Sequence, residues 1–442
     1  MFHPLVPYHD VEINPVDFNA NSDFFSEAWG ISPDGHYVVG TAGQMLRGML
    51  ARPHPNPESG NFYGFTYRAD THELHPINYL NAVATSFIGC NDVRDVVGFC
   101  RNAQNELHGL VWLDGQLQPP FFDVAGSKPV QLSDGDEFIH NAVFGINNNR
   151  VVVGTFRDIN EDRDLGFVAY ANDPAAPLVI DMRAVLRTAP AIDSSKITST
   201  IIAGINNKGD IVGSYVSDGR SFPFKWALQN DNLLTTGNVT LLNHPNADVV
   251  ATAVNDHGCI VCRDNADPNN PNSPVHGFLW FPDAAGDYKV DDEHLWQIDV
   301  ITQLPAGVVQ RTFPNSIDSW GTVVGAYRKD AGNTDSMGKP ISNRRAFVGN
   351  VPLGRSWWTN ILDVPFYPPI PNPRFPFLPP FPWSVFMFGG ILQQPAEVAL
   401  VMLFLQVSTI SDITVRHRLR ALILEMLCEQ NEKLQKQYNE AT

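Results

Sequence analysis

The sequence predicts an all-β fold, a six-bladed β-propeller, joined by a proline-rich linker to a C-terminal α-helical hairpin. Three observations lead there. A strand-turn-strand template recurs along the chain; an aromatic strand and then a third strand ending near Asp or Asn follow each copy; and the repetition stops at Asp363, where the composition changes.

The template is clearest at Ile202-Ala203-Gly204-Ile205-Asn206-Asn207-Lys208-Gly209-Asp210-Ile211-Val212-Gly213. β-Branched residues suit a pleated surface, Asn-Asn-Lys-Gly supplies the left-handed turn positions, and Ile211-Val212 resumes the extended run. The other copies begin at Trp29-Gly30-Ile31, Ile88-Gly89-Cys90, Phe144-Gly145-Ile146, Ala253-Val254-Asn255 and Ser316-Ile317-Asp318, which makes six in all. Their spacing of roughly 50 to 60 residues lies near the kelch-type propeller period and above that of helical solenoids.

The aromatic strands are Gly64-Phe65-Thr66-Tyr67, Gly109-Leu110-Val111-Trp112, Gly166-Phe167-Val168-Ala169-Tyr170, Pro223-Phe224-Lys225-Trp226, Gly277-Phe278-Leu279-Trp280 and Ala346-Phe347-Val348-Gly349. The third strands end at Ile77-Asn78, Phe122-Asp123-Val124, Ile180-Asp181, Leu242-Asn243, Ile298-Asp299 and Leu362-Asp363. With the strand leading into the template, each unit supplies about four strands, the content of one propeller blade. Asp10-Val11-Glu12-Ile13-Asn14 matches the third strand but precedes any template. In a ring this spare strand completes the last blade and leaves no sheet edge open.

These motifs resemble the HAF-type extracellular repeat family, with His276-Gly277-Phe278-Leu279-Trp280 and His108-Gly109-Leu110-Val111-Trp112 coming nearest its His-Ala-Phe tripeptide. The likeness spans roughly residues 10 to 363 as a repeat pattern. It implies a propeller-like β-fold and brings no assigned catalytic residues.

Residues 1–363 therefore form the propeller, 364–383 the linker and 384–442 the helical segment for oligomerisation or anchoring. The linker carries nine prolines among aromatic residues and reads as polyproline II. Pro395 opens an apolar helix of about 12 residues, too short to span a bilayer, and a second, amphipathic helix runs from about Ser411 to Tyr438. Such helices need a cover. Phe375, Phe377, Phe381, Trp383, Leu400, Leu403, Phe404, Leu419, Leu422 and Met426 are accordingly the candidate partner-binding residues.

A formal charge of −17 repels phosphate, so nucleic acid is not an expected partner. The expected partner is a protein or a second copy of the chain, through the C-terminal segment. The N-terminus lacks the pattern of a secretory signal and five cysteines are too few for a disulfide scaffold, which makes a cytoplasmic location the expectation. Cys259 and Cys262 stand three apart in a strand, on opposite faces, and read as structural thiols rather than a metal pair.

Asp158, Asn160, Asp162 and Asp164 alternate oxygen ligands as a calcium loop does. Arg163 occupies the position where an EF-hand has glycine and Ala169 the position of its bidentate carboxylate, so a solvated loop is the competing reading. No cofactor is expected beyond that calcium alternative, and no catalytic residue is assigned. The functional expectation is a non-catalytic binding or scaffold protein. A hydrolase or lyase with a site in the propeller channel, and a peripherally membrane-attached propeller, are the alternatives.

Overall fold

A computed structural model describes residues 8–10, 24–44, 62–68, 73–77, 82, 84–104, 106–117, 122–131, 141–188, 192–228, 238–242, 248–264, 274–283, 285–291, 294–298, 311–319, 321–334 and 340–350. The linker, the C-terminal segment and every candidate partner-binding residue from Phe375 to Met426 lie outside these described residues.

β1 (Tyr8–Asp10) comes first in the chain. Blade one holds β2 (Phe24–Ile31), β3 (Tyr37–Gln44), β4 (Phe62–Arg68) and β5 (Glu73–Ile77). Blade two holds β6 (Ala84–Cys90), β7 (Val96–Arg101), β8 (Glu106–Leu113) and two short strands on its outer edge, β9 (Gln116–Leu117) and β10 (Val130–Gln131). Blade three follows as β11 (Ala142–Ile146), β12 (Val151–Arg157), β13 (Asp164–Tyr170) and β14 (Asp173–Ile180), with a short helix α1 (Met182–Val185) behind it. Blade four is β15 (Ile197–Ile205), β16 (Asp210–Ser217), β17 (Arg220–Ala227) and β18 (Asn238–Leu241), and blade five is β19 (Val249–Val254), β20 (Ile260–Asp264), β21 (Gly277–Trp280) and β22 (Leu295–Ile298). Blade six takes β23 (Thr312–Ile317), β24 (Thr322–Thr334) and β25 (Pro340–Asn350), and its outer place is filled by β1. The chain is a six-bladed β-propeller.

Its closure comes from the N-terminus. Tyr8 pairs with Gly349 and Asp10 with Phe347, so the spare N-terminal strand lies slightly earlier than the matching segment beginning at Asp10. Blade two departs from expectation as well. Phe122-Asp123-Val124 forms no ladder strand; Phe122 donates one backbone hydrogen bond to the Gly109 carbonyl, 2.9 Å, between the short partners β9 and β10.

The sequence signatures have a packing reason. In four blades the glycine of the second strand is the direct Cα partner of the aromatic strand's phenylalanine: Gly40 with Phe65, Gly154 with Phe167, Gly213 with Phe224 and Gly325 with Phe347; in blade two Gly98 pairs with Leu110, and in blade five Cys262 takes the glycine's place opposite Phe278. A Cβ on Gly98 would collide with the Ser86 carbonyl, so the absence of a side chain is what lets these strands lie flat under the ring. The small residue before the aromatic serves the next blade, since Gly166 leaves room for Ile202 and Gly64 for Phe87. Buried apolar clusters consequently lie between blades, as where Val97 and Val111 meet Val143, Val152 and Phe167, or where Leu279 and Trp296 meet Val323 and Phe347.

Candidate functional site

Each first strand is followed by a four-residue turn whose last residue has positive φ: 78° at Gly35, 69° at Arg94, 58° at Arg150, 82° at Gly209, 80° at Gly258 and 83° at Gly321. The first turn residue organises the rest. Asn206 Oδ1 accepts from the amides of Lys208, 3.0 Å, and Asp210, 2.8 Å, and Asn147 Oδ1 accepts from Asn149 and Val151, both 3.0 Å.

The same asparagines reach sideways into the following blade. Asn91 Nδ2 donates to the Asn147 carbonyl at 3.0 Å, Asn147 to Asn206 at 3.2 Å, Asn206 to Asn255 at 2.8 Å and Asn255 to Asp318 at 3.0 Å. A second set runs beside it through the next turn residue. The Asp92 amide donates to Asn148 Oδ1 at 3.0 Å, the Asn148 amide to Asn207 Oδ1 at 2.9 Å and the Asn207 amide to Asp256 Oδ1 at 2.8 Å. The remaining junctions are spanned by the Asp34 amide on Asp92 Oδ1, 2.8 Å, and the Ser319 amide on the Pro33 carbonyl, 3.0 Å. Every one of the six blade junctions thus carries a hydrogen bond between turns. Because the first strand of each blade is the innermost, these clasps form an annulus around the propeller axis on one face, hereafter the turn face.

Blades five, six and one are also joined below that annulus. Arg263 Nη1 donates to Asn315 Oδ1 at 3.2 Å, and Asn315 Nδ2 donates to Glu27 Oε1 at 3.1 Å and to the Ala28 carbonyl at 2.9 Å. Glu27 and Asn315 are buried, so this chain keeps a carboxylate hydrogen-bonded where water does not reach it.

The electrostatic outlier of the annulus is the junction of blades one and two. Burial pushes the Asp92 carboxyl up to about 6, and the neighbouring Asp34 carboxyl adds to the shift. Burial also acts against the charge of Asp34, but hydrogen bonds from His36 and Ser32 outweigh it and hold that carboxyl below its usual range. Two carboxyls with separated affinities can keep one proton between them below about pH 6. Sequence reading passed over this pair; its signal was an acidic residue in two adjacent copies of the turn.

No family model matches the chain. No curated protein matches it either. Among solved structures it is similar to a neuraminidase-like protein of A/flat-faced bat/Peru, at 6% identity and a TM-score of 0.37 over 79% of this chain and 95% of that one. It is similar to TolB from Acinetobacter baumannii, at 10% identity and 0.38 over 72% and 65%. The beta-propeller domain of the Trilobed protease from Pyrococcus furiosus gives 11% and 0.28 over 72% and 77%. Likeness at this level carries no chemistry across, and the HAF-type resemblance rests on the repeat residues alone.

The loop read as a calcium alternative sits between β12 and β13. Asp158 Oδ1 accepts from the amides of Asn160, 2.9 Å, and Glu161, 2.7 Å, as a turn cap does. Asp162 pairs with Lys128 and, at 3.2 Å, with Arg157, which also reaches Asp164 at 3.3 Å. The structure therefore brings cations to these carboxylates, and among the described residues no group of three or more His, Cys, Asp or Glu is placed to hold a metal ion. His108 Nδ1 pairs with Asp123 at 2.9 Å. Cys259 and Cys262 are both buried and enter different clusters, Cys259 toward blade six and Cys262 toward blade four; burial raises both thiols. Such thiols are poor nucleophiles and poor metal ligands.

Proposed function

We propose that the protein is a non-catalytic binding platform: a propeller whose unrepeated loops engage a protein partner and whose residues 384–442 attach it to a second copy or a larger assembly. The observation that carries this reading is a clasped ring of repeated turns with the chain ends beside it and unrepeated connections around it. Thr322 pairs with Asn350 and Gly349 with Tyr8, so the chain enters and leaves the propeller on the turn face, beside the closed annulus. Unrepeated connections lie on both faces: 45–61 between β3 and β4 and 299–311 between β22 and β23 on the opposite face, and 281–294 between β21 and β22 on the turn face, where Tyr288 donates to the Gly258 carbonyl at 2.6 Å. A rigid ring with unrepeated loops on its faces and its chain ends beside the annulus is suited to holding one molecule while attached to another.

The test is the native mass, by light scattering, of the full chain and of a chain ending at residue 383. The shorter chain keeps a cooperative melt and loses the assembly. An unchanged mass rejects the tethering role of residues 384–442.

A further inference from the structure

The annulus is uneven, and its unevenness is concentrated at blade one. Four successive junctions are clasped by an asparagine amide, but Ser32 stands where blade one would present that asparagine, and the amide clasp onto Asn91 is missing there. What joins blade one to blade two on the turn face is Asp92, whose Oδ1 accepts from the Asp34 amide at 2.8 Å. Neither carboxyl of the pair is free to swing away. Asp34 Oδ1 accepts from Ser32 Oγ at 2.5 Å and from the His36 amide at 3.0 Å, while its Oδ2 lies 3.0 Å from His36 Nδ1. Asp92 Oδ2 accepts from Asn148 Nδ2 at 2.6 Å. Two neighbouring carboxyl groups are thus held in place at one of the two junctions that lack the asparagine clasp, the other being that of blades six and one.

We propose that the junction of blades one and two is a pH-sensitive seam, tightened when the Asp34–Asp92 pair holds a shared proton and loosened when both carboxylates are charged. The shared proton turns a repulsion into a hydrogen bond across the junction, from one carboxyl O–H to the other's oxygen. The groups facing the pair are His36 on the blade-one turn, Arg94 on the blade-two turn, held over the Tyr37 ring at 4.9 Å, the buried Cys90 thiol beneath, and the neutral Asn148 amide of blade three. Arg150 is committed elsewhere, to Asp95 and Asp114. Because the Asp92 carboxyl is raised by folding, the proton-linked stabilisation is complete below the ordinary carboxylate range and is lost as pH rises through about 6.

The readout must be local, since His257 acts oppositely. Burial lowers its imidazole to about 4, so its contribution is present above the ordinary histidine value and is lost as pH falls toward 4. Hydrogen exchange of the full chain, followed at the Asp34 amide and corrected for intrinsic rates, isolates the seam. Protection there rises on the order of tenfold from about pH 8 to about pH 5, while protection at the Asn207 amide does not follow it. In Asp92→Asn, which places at this position the residue that blades three and four carry, the rise disappears. In Asp34→Asn the midpoint moves to lower pH. Equal pH responses at Asp34 and Asn207, or a rise that survives in Asp92→Asn, would overturn the proposal.

Discussion

Asn206 shows what a repeated polar residue does in this ring. Its Oδ1 caps its own turn through two amides, and its Nδ2 donates to Asp210 Oδ2 at 3.2 Å and to the Asn255 carbonyl of the next blade at 2.8 Å. Replacing it with alanine strands buried donors and acceptors on both sides of a junction, so Asn206→Ala is expected to lower stability by about 2–3 kcal/mol in denaturant titrations. Asn207→Ala, at a more exposed position, loses the clasp accepted from the Asn148 amide and the side-chain pair with Asp256 but keeps its own backbone clasp, and is expected to cost about 1 kcal/mol. A larger loss at Asn207 than at Asn206 would contradict this ordering. The turn role of these residues was legible in the sequence, because Asx residues followed by Gly recur from copy to copy. Their partners were not, since the Asn255 carbonyl lies 49 positions away and a repeat pattern does not say which copies touch.

Among the elements, the blade strands were the most legible and the outer edges the least. The template and aromatic strands are fixed by packing on both sides, so glycine, β-branched and aromatic residues are forced into register and leave a pattern. An outer strand packs on one side only. In blade two its place is shared by β9, a single bond from Phe122 and β10, a solution that no pattern marks. The positive-φ position shows a similar limit. Glycine announces it in four turns, but Arg94 and Arg150 adopt it as well, and Arg150 does so while pairing with Asp95 at 2.8 Å. β1 is short yet closes the ring, leaving blade six with four strands. Deleting residues 1–10 from the full chain exposes the outer edge of β25, and the account expects a melting temperature lower by several degrees together with a tendency to self-associate. An unchanged melt would remove β1 from the closure.

For the molecule as a whole, the repeats explain the scaffold and say little about its ligand. Cores lie between blades, and clasps lie between turns, so no blade can leave without opening two junctions. The candidate metal loop at Asp158–Asp164 and the partner-binding residues read from the C-terminal fifth belong to what is not repeated, where a single sequence offers no internal comparison. The seam at Asp34 and Asp92 was hidden for another reason: its character comes from the mutual approach of two ordinary turn aspartates 58 positions apart. The central claim is that the turn residues clasp blade to blade instead of facing a ligand. Hydrogen exchange at the amides of Asp92, Asn148, Asn207 and Ser319 tests it most directly, since each belongs to a surface turn and is protected only by a residue of the neighbouring blade. The account predicts protection of these four amides on the order of a thousandfold or more, comparable to that of the strands beside them. Exchange near the rate of an open loop at all four would contradict it.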